Sequence, residues 1–272
     1  IISIALTPII TEAIGYSTTA LIYGGLAIAV IWYMALNSHE RPESMEKPKP
    51  ALLGSIKEII LNPKFWIYGI TNAAFFAALG LVQSGVPFFV KYSLGEGALG
   101  STIMLGIVIV TAILFIPLWV LIIKKITLMP AWRTALIVIA VSVIPLYFAQ
   151  SLLVAAIIVT AFGFGLAGVA TTMDIVGARL LDEDSQKYGV QREGTFSSLL
   201  GVLNKSSGLF ISLAFLLVFR FYGFESGDNP GTMAGEASKF LTVLFPIAIL
   251  VICIVMSRFL KFGDTQKTGE SK

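Results

Sequence analysis

The chain alternates long apolar runs with short polar intervals. Crossing about 30 Å of hydrocarbon takes about 20 apolar helical residues. Seven runs meet that length, at roughly 17–36, 65–91, 100–123, 132–149, 152–173, 196–220 and 240–260. Ile1–Ile10 is apolar but too short, and it reads as the tail of a further span, which predicts a segment before it. The runs at 132–149 and 152–173 are joined through Ala149, Gln150 and Ser151, a tight hairpin. The 37–64 interval is polar and has two parts. Its first part sets Pro42, Pro48 and Pro50 among charges, a composition that resists helix. Its second part puts Leu52, Leu53, Ile56, Ile59 and Ile60 on one helical face, with Lys57 and Glu58 on the other. That spacing suits a helix lying in the membrane interface, or one packed on the end of a bundle.

Composition agrees with a membrane protein: 56% of residues are hydrophobic and 13% charged, against about a quarter charged in soluble domains. Connections rich and poor in Lys and Arg alternate. The 37–64 interval carries Arg41, Lys47, Lys49, Lys57 and Lys64, and the next connection carries Lys91. Lys124, Lys125 and Arg133 follow, then a connection with none, then Arg179, Lys187 and Arg192 before Lys239. The tail holds Arg258, Lys261, Lys267 and Lys272. The positive-inside rule makes the rich connections cytoplasmic, with the C-terminus inside. The expected fold is therefore an all-α multi-pass membrane protein of the cell membrane. Its layout is an end of one transmembrane half (1–36), a cytoplasmic linker with an amphipathic helix (37–64), a six-helix half (65–262) and a cytoplasmic tail (263–272). Six spans after a long linker are the second half expected of a twelve-span transporter built from two halves.

Candidate chemistry is sparse. One cysteine and one histidine leave no disulfide framework and no metal or haem set. No basic stripe for nucleic acid is present. Hydrolase, kinase and P-loop signatures are absent, and G-F-G-L-A-G at 163–168 lacks the strand–turn–helix context of a dinucleotide site. No enzyme chemistry is expected.

The polar residues inside apolar runs are the functional candidates. Lys205 lies about nine residues into its helix, about 14 Å deep. Ser198, Gly201, Lys205, Gly208 and Ser212 share one helical face, flanked by Asn204 and Ser207, with Leu199, Leu203, Phe210 and Leu217 opposite. Close packing through small residues, with the lysine snorkelling, is the plain alternative. Asn72 and Gln83 are pore-lining candidates in a long span interrupted by Gly80, Gly85 and Pro87. Thr171 and Thr172 follow Gly163, Gly165 and Gly168, glycines that suit close helix approach. Asp174 is interfacial or a gate partner. Trp66 and Trp119 read as interface anchors or lipid-facing packing residues. The charges from Arg179 to Glu193 read first as a solvated loop and second as a gate of breakable ion pairs.

The stretch L-L-D-E-D-S-Q-K-Y-G-V-Q-R-E-G-T, with Lys205 twelve residues after Glu193, resembles the glycoside–pentoside–hexuronide:cation symporters, melibiose-permease-like members of the major facilitator superfamily. The family pattern D-x-x-D-x-[DG]-E-x-x-T-G-x-R-R-E-G, then a helix with a lysine, is matched at Asp182, Asp184, Gly189, Arg192, Glu193, Gly194 and Lys205. P-F-F-V-K-Y-S-L-G at 87–95 is similar to its P-Y-Y-x-x-Y-x-x-G. The resemblance implies coupled uptake of a sugar with sodium or a proton, by alternating access. It implies no other cofactor, and it puts the cation ligands mostly in a preceding half. It implies a substrate and coupling role for Lys205, whose neighbours Asn204, Ser198, Asn72, Gln83, Thr171 and Thr172 are the further contacts expected. It implies a cytoplasmic gate among Arg179, Asp182, Asp184, Arg192 and Glu193. Two positions depart from the pattern. Arg179 stands where the family's first acid falls, and Ala170 where the melibiose-permease-like branch has a sugar-stacking tryptophan, so a disaccharide ligand is not supported. A lysolipid or other organic solute, carried by the same fold, stays open, as does a non-transporting sensor or receptor.

Overall fold

The computed structural model describes residues 2–37, 52–190, 192–225 and 230–262, with side chains from residue 7 and from residue 53 in the first two stretches. Pro42, Pro48, Pro50 and the 263–272 tail lie outside the described residues.

Every element among the described residues is helical. Seven helical stretches are long and apolar enough to cross a membrane. In chain order the helices are α1 (Ile2–Ile14), α2 (Tyr16–Asn37), α3 (Leu52–Ile60), α4 (Pro63–Tyr92), α5 (Ala98–Ile126) and α6 (Leu128–Val143). They continue as α7 (Leu152–Tyr188), α8 (Glu193–Lys205), α9 (Ser207–Tyr222), α10 (Ala234–Lys239) and α11 (Phe245–Phe259). A 3₁₀ turn (Ile144–Phe148) ends α6, and a π-helical segment (Phe240–Leu244) joins α10 to α11. Many large apolar side chains face outward, among them Leu114, Leu121, Ile157, Leu209 and Phe219. An all-round apolar exterior suits a chain whose solvent is a bilayer.

α4 is the hub. It begins at Asn62, whose side chain accepts from the Lys64 N–H at 3.0 Å, with Pro63 at the first helical position. It packs against α5, α7, α8, α9, α10 and α11, and over half of its apolar window is buried. α7 packs most extensively against α5 and α6. Its glycines are the reason. A Cβ at Gly165 would stand 2.8 Å from the Ile139 backbone, and one at Gly163 or Gly168 would collide with Thr111 or the Trp119 indole. This is the close approach the sequence suggested for them. Trp119 differs from the expectation of an anchor or a lipid-facing residue. It is 1% exposed, lies over Gly168, and donates its indole N–H to the Phe164 carbonyl at 2.8 Å.

Two further differences concern helix limits. The charged 174–188 stretch, read as loop, continues α7 without a break. α7 is thus about 55 Å long, well beyond the hydrocarbon thickness. It stops at Gly189, whose φ of +68° forms a left-handed cap, with its N–H bonded to the Ser185 carbonyl. Conversely, the 196–220 run is not one helix. Ser206 divides α8 from α9, and its hydroxyl donates to the Leu203 carbonyl at 2.6 Å. A serine hydroxyl that bonds back in this way competes with the helical ladder.

α3 lies at the end of the bundle where α4, α6 and α8 begin, here called the linker end. It buries Ser55 and Ile59 against α8 and α4 and leaves Leu53 and Ile60 outward. At the same end Arg133 donates to the carbonyls of Ser257 (3.2 Å) and Leu260 (3.0 Å), which satisfies the last turn of α11. α1 packs on α5, and α2 leans chiefly on α1.

Candidate functional site

Asn72 projects from α4 about one-third of the way along that helix. Asn204 comes from α8, just before the break at Ser206. The Asn72 amide donates to the Asn204 side-chain oxygen at 3.2 Å, and Asn72 is 4% exposed. The two line a cavity of about 370 Å³ together with Tyr68, Phe75, Phe76, Met173, Asp174 and Leu200. Tyr68 donates its hydroxyl to the Met173 carbonyl at 3.2 Å. Gly177 makes that possible, since a Cβ there would stand 2.5 Å from the Tyr68 oxygen. Asp174 is exposed at the cavity wall. The cavity therefore joins two amides, a phenol and a carboxylate to an aromatic and aliphatic wall. A pocket with few polar groups on an apolar lining suits a small polar solute with one hydrophobic face.

The other candidates fall elsewhere. Lys205 and Ser198 are exposed on the outer face of α8, next to the exposed Val202 and Leu209. Ser198 donates to the Gly194 carbonyl at 2.8 Å. Leu199 and Leu203 turn the opposite face onto the core. Lys205 thus points away from α4 and is next to Asn204 in sequence without lining its cavity. Thr171 and Thr172 spend their hydroxyls on α7's own carbonyls, those of Ala167 and Gly168, both at 2.7 Å. Thr172 is fully buried in the packing. Gln83 lines a different, apolar chamber between α4, α5, α6 and α7.

Tyr68 was not among the contacts expected from sequence, and Asp174 was assigned only to the interface or a gate. The signal for Tyr68 was its place one turn before Asn72 on the same face of α4. For Asp174 it was an acid at the depth where an apolar run ends.

The charged cluster forms an ion-pair network at the linker end. Arg192 is 3% exposed and Asp184 4%. The guanidinium holds the carboxylate through three contacts of 2.9, 3.0 and 3.1 Å. It also pairs with Glu58 of α3 and stacks over Tyr188 at 4.2 Å. Lys64 pairs with Glu183. Arg179 lies over the Phe262 ring at 5.1 Å, a cation–π contact rather than an ion pair. Asp182 and Glu193 are exposed and make no ion pair among the described residues. The buried pair is costly to break from one side, because the partner left behind is an unpaired charge. It fastens the end of α7 to the start of α8, and Glu58 extends the hold to α3.

Among the described residues, no group of three or more His, Cys, Asp or Glu side chains could hold a metal ion. Cys253 is buried, with its sulfur 3.5 Å from the Thr71 carbonyl.

No curated protein matches the chain. A family model described as MFS/sugar transport protein matches residues 1–264. Seven membrane-length helices, a cavity with a few polar groups walled by α4, α7 and α8 and a match over nearly the whole sequence agree, and the chain belongs to the MFS/sugar transport protein family.

Proposed function

We propose that the protein is a secondary transporter that carries a sugar or glycoside together with sodium or a proton by alternating access across the cell membrane. The observation that carries the reading is the Asn72–Asn204 pair at the wall of a cavity between membrane-length helices. Amides both donate and accept, so two of them match the paired donors and acceptors of sugar hydroxyls. Phe75 and Phe76 supply apolar surface for a ring face. Lys205, one residue on from Asn204 and turned outward, is placed to meet groups across the face of α8. In this reading it is the coupling residue, reaching the cation site contributed by the other transmembrane half. The two halves then rock about the substrate, with the linker end cytoplasmic.

The test is uptake in proteoliposomes by the protein in its full native length. A panel of labelled sugars is offered with an inward sodium gradient, an inward proton gradient, or neither. Accumulation of one sugar above the external concentration under one gradient supports the proposal. The Lys205→Ala variant should insert normally and lose at least tenfold of the gradient-driven accumulation while still exchanging sugar. Full accumulation by that variant removes the coupling role. No flux of any sugar under either gradient overturns the proposal.

A further inference from the structure

At the end of the bundle opposite the linker end, α1 and the α4–α5 connection enclose a separate cavity of about 690 Å³. It shares no lining residue with the Asn72–Asn204 cavity. Its volume falls in the range of small-molecule sites. A tight turn holds the start of α5 beside the end of α4. Gly95 takes a φ of +70°, and the Glu96 N–H bonds to the Val90 carbonyl at 3.0 Å. Pro8 of α1 and Pro87 of α4 line the same space, and each breaks one rung of its helix.

The lining carries charge of both signs and pairs none of it internally. Glu12 comes from α1, Lys91 from the last turn of α4 and Glu96 from the turn before α5. All three are exposed, and none is in an ion pair among the described residues. Lys91 rests over the Tyr92 ring at 5.2 Å. Ser101 of α5 is the independent sign of a ligand. It lines the cavity, is 3% exposed, and makes no side-chain hydrogen bond among the described residues. A buried hydroxyl normally finds a partner. Ser142, Ser198 and Ser257 each bond back to a carbonyl of their own helix. Ser101 does not, so its donor and its lone pairs are left for an occupant. The N-terminus of α5 adds further donors. Its N-cap is Gly97, which has no side chain to cover the first-turn N–H groups, and Gly97 and Ala98 line the cavity. Those amides and the positive end of the helix favour an anionic group.

We propose that this cavity binds a small zwitterion, a molecule with an ammonium and a carboxylate a few bonds apart. Its ammonium pairs with Glu12 and Glu96. Its carboxylate meets Lys91, the α5 N-terminus and the Ser101 hydroxyl. Lys91 repels a simple cation and the two carboxylates repel a simple anion, whereas a zwitterion answers both signs at once. The site goes beyond the sugar reading and does not depend on it. α1 precedes the linker and α4 and α5 follow it, so an occupant ties the chain across the linker at this end.

The experiment measures thermal stabilisation of the protein, full native length, in an uncharged maltoside detergent. The probes are glycine, β-alanine and γ-aminobutyrate, which differ in charge separation, beside methylammonium, acetate and calcium at matched ionic strength. At least one amino acid is expected to reach half its effect about tenfold below the concentration that methylammonium or acetate needs. Glu12→Gln and Lys91→Gln, both at exposed positions, should each raise that concentration severalfold, and Ser101→Ala should raise it too. Asn72→Ala, in the other cavity, should leave it unchanged. A repeat in phosphatidylethanolamine nanodiscs tells a free solute from a lipid headgroup of the same chemistry: a headgroup already in the site abolishes the response, and a free solute keeps it. No stabilisation by any of the three amino acids in detergent overturns the proposal. So does equal potency of methylammonium or acetate, or a response that calcium alone reproduces. A response that survives both Glu12→Gln and Lys91→Gln places the binding elsewhere and overturns it as well. None of these outcomes bears on gradient-driven sugar uptake, which is measured separately.

Discussion

Asn72 and Asn204 each leave the other's amide half used. One hydrogen bond joins them, and the remaining donors and acceptors face the cavity or its rim. Truncating one partner should expose the other as an unsatisfied group at a buried wall, worth about 1–3 kcal/mol. Uptake by Asn72→Ala or Asn204→Ala is therefore expected to fall by roughly tenfold or more. The double variant should be no worse than the poorer single one, because the two act as a unit. Additive losses in that cycle would separate them. Arg192 answers to a different physics. Arg192→Ala leaves Asp184 charged and unpaired inside the protein, and should cost about 3–5 kcal/mol of stability. A fall in unfolding temperature in detergent measures it. Arg192→Lys should recover only part, since an ammonium cannot grip a carboxylate through two parallel bonds. The polar residues themselves were legible, because hydrocarbon penalises a lysine or an amide that has neither a partner nor a cavity to face. Their pairing was not. Asn72 and Asn204 are 132 positions apart, and nothing local encodes which amide meets which.

At the scale of elements, the spans were legible from length and hydropathy alone, since an apolar helix long enough to cross a bilayer has few alternatives. The limits of α7 and α8 were not. Asp182, Glu183, Asp184 and Lys187 carry the composition of a solvated loop, yet the helix runs through all four. Arg192 at the start of α8 and Lys64 at the start of α4 supply the partners that keep α7 wound to Tyr188. The depth of Trp119 was hidden for a related reason. An indole at a membrane edge and an indole over a glycine look alike until the partner helix is known. Gly168 is the small half of that contact, and Gly168→Ala should wedge α7 away from α5. The expected loss is about 1–3 kcal/mol, read as a lower unfolding temperature with helix content unchanged. A variant as stable as the parent would mean that the Trp119 ring can shift aside.

The whole molecule hangs on α4 and α7, two of the helices that wall the Asn72–Asn204 cavity. One of them also runs on past the cavity to the linker end. α7 carries Leu166, Ala170 and Asp174 at the cavity and Glu183 and Asp184 at the linker end. The rungs between are continuous helix. Such a rod has no joint at which motion could be lost. Occupancy of the cavity should therefore be felt at α3, through Asp184, Arg192 and Glu58. Hydrogen exchange over Leu52–Ile60 is expected to change severalfold when a bound sugar is added to the protein in nanodiscs, and Glu58→Gln should weaken that response. Unchanged exchange at α3 under saturating sugar would show the two ends to be independent. Seen mechanically, a helix longer than the hydrocarbon layer is thick is a pushrod. It would carry a displacement of a fraction of a turn at the cavity to α3, with no diffusing signal in between.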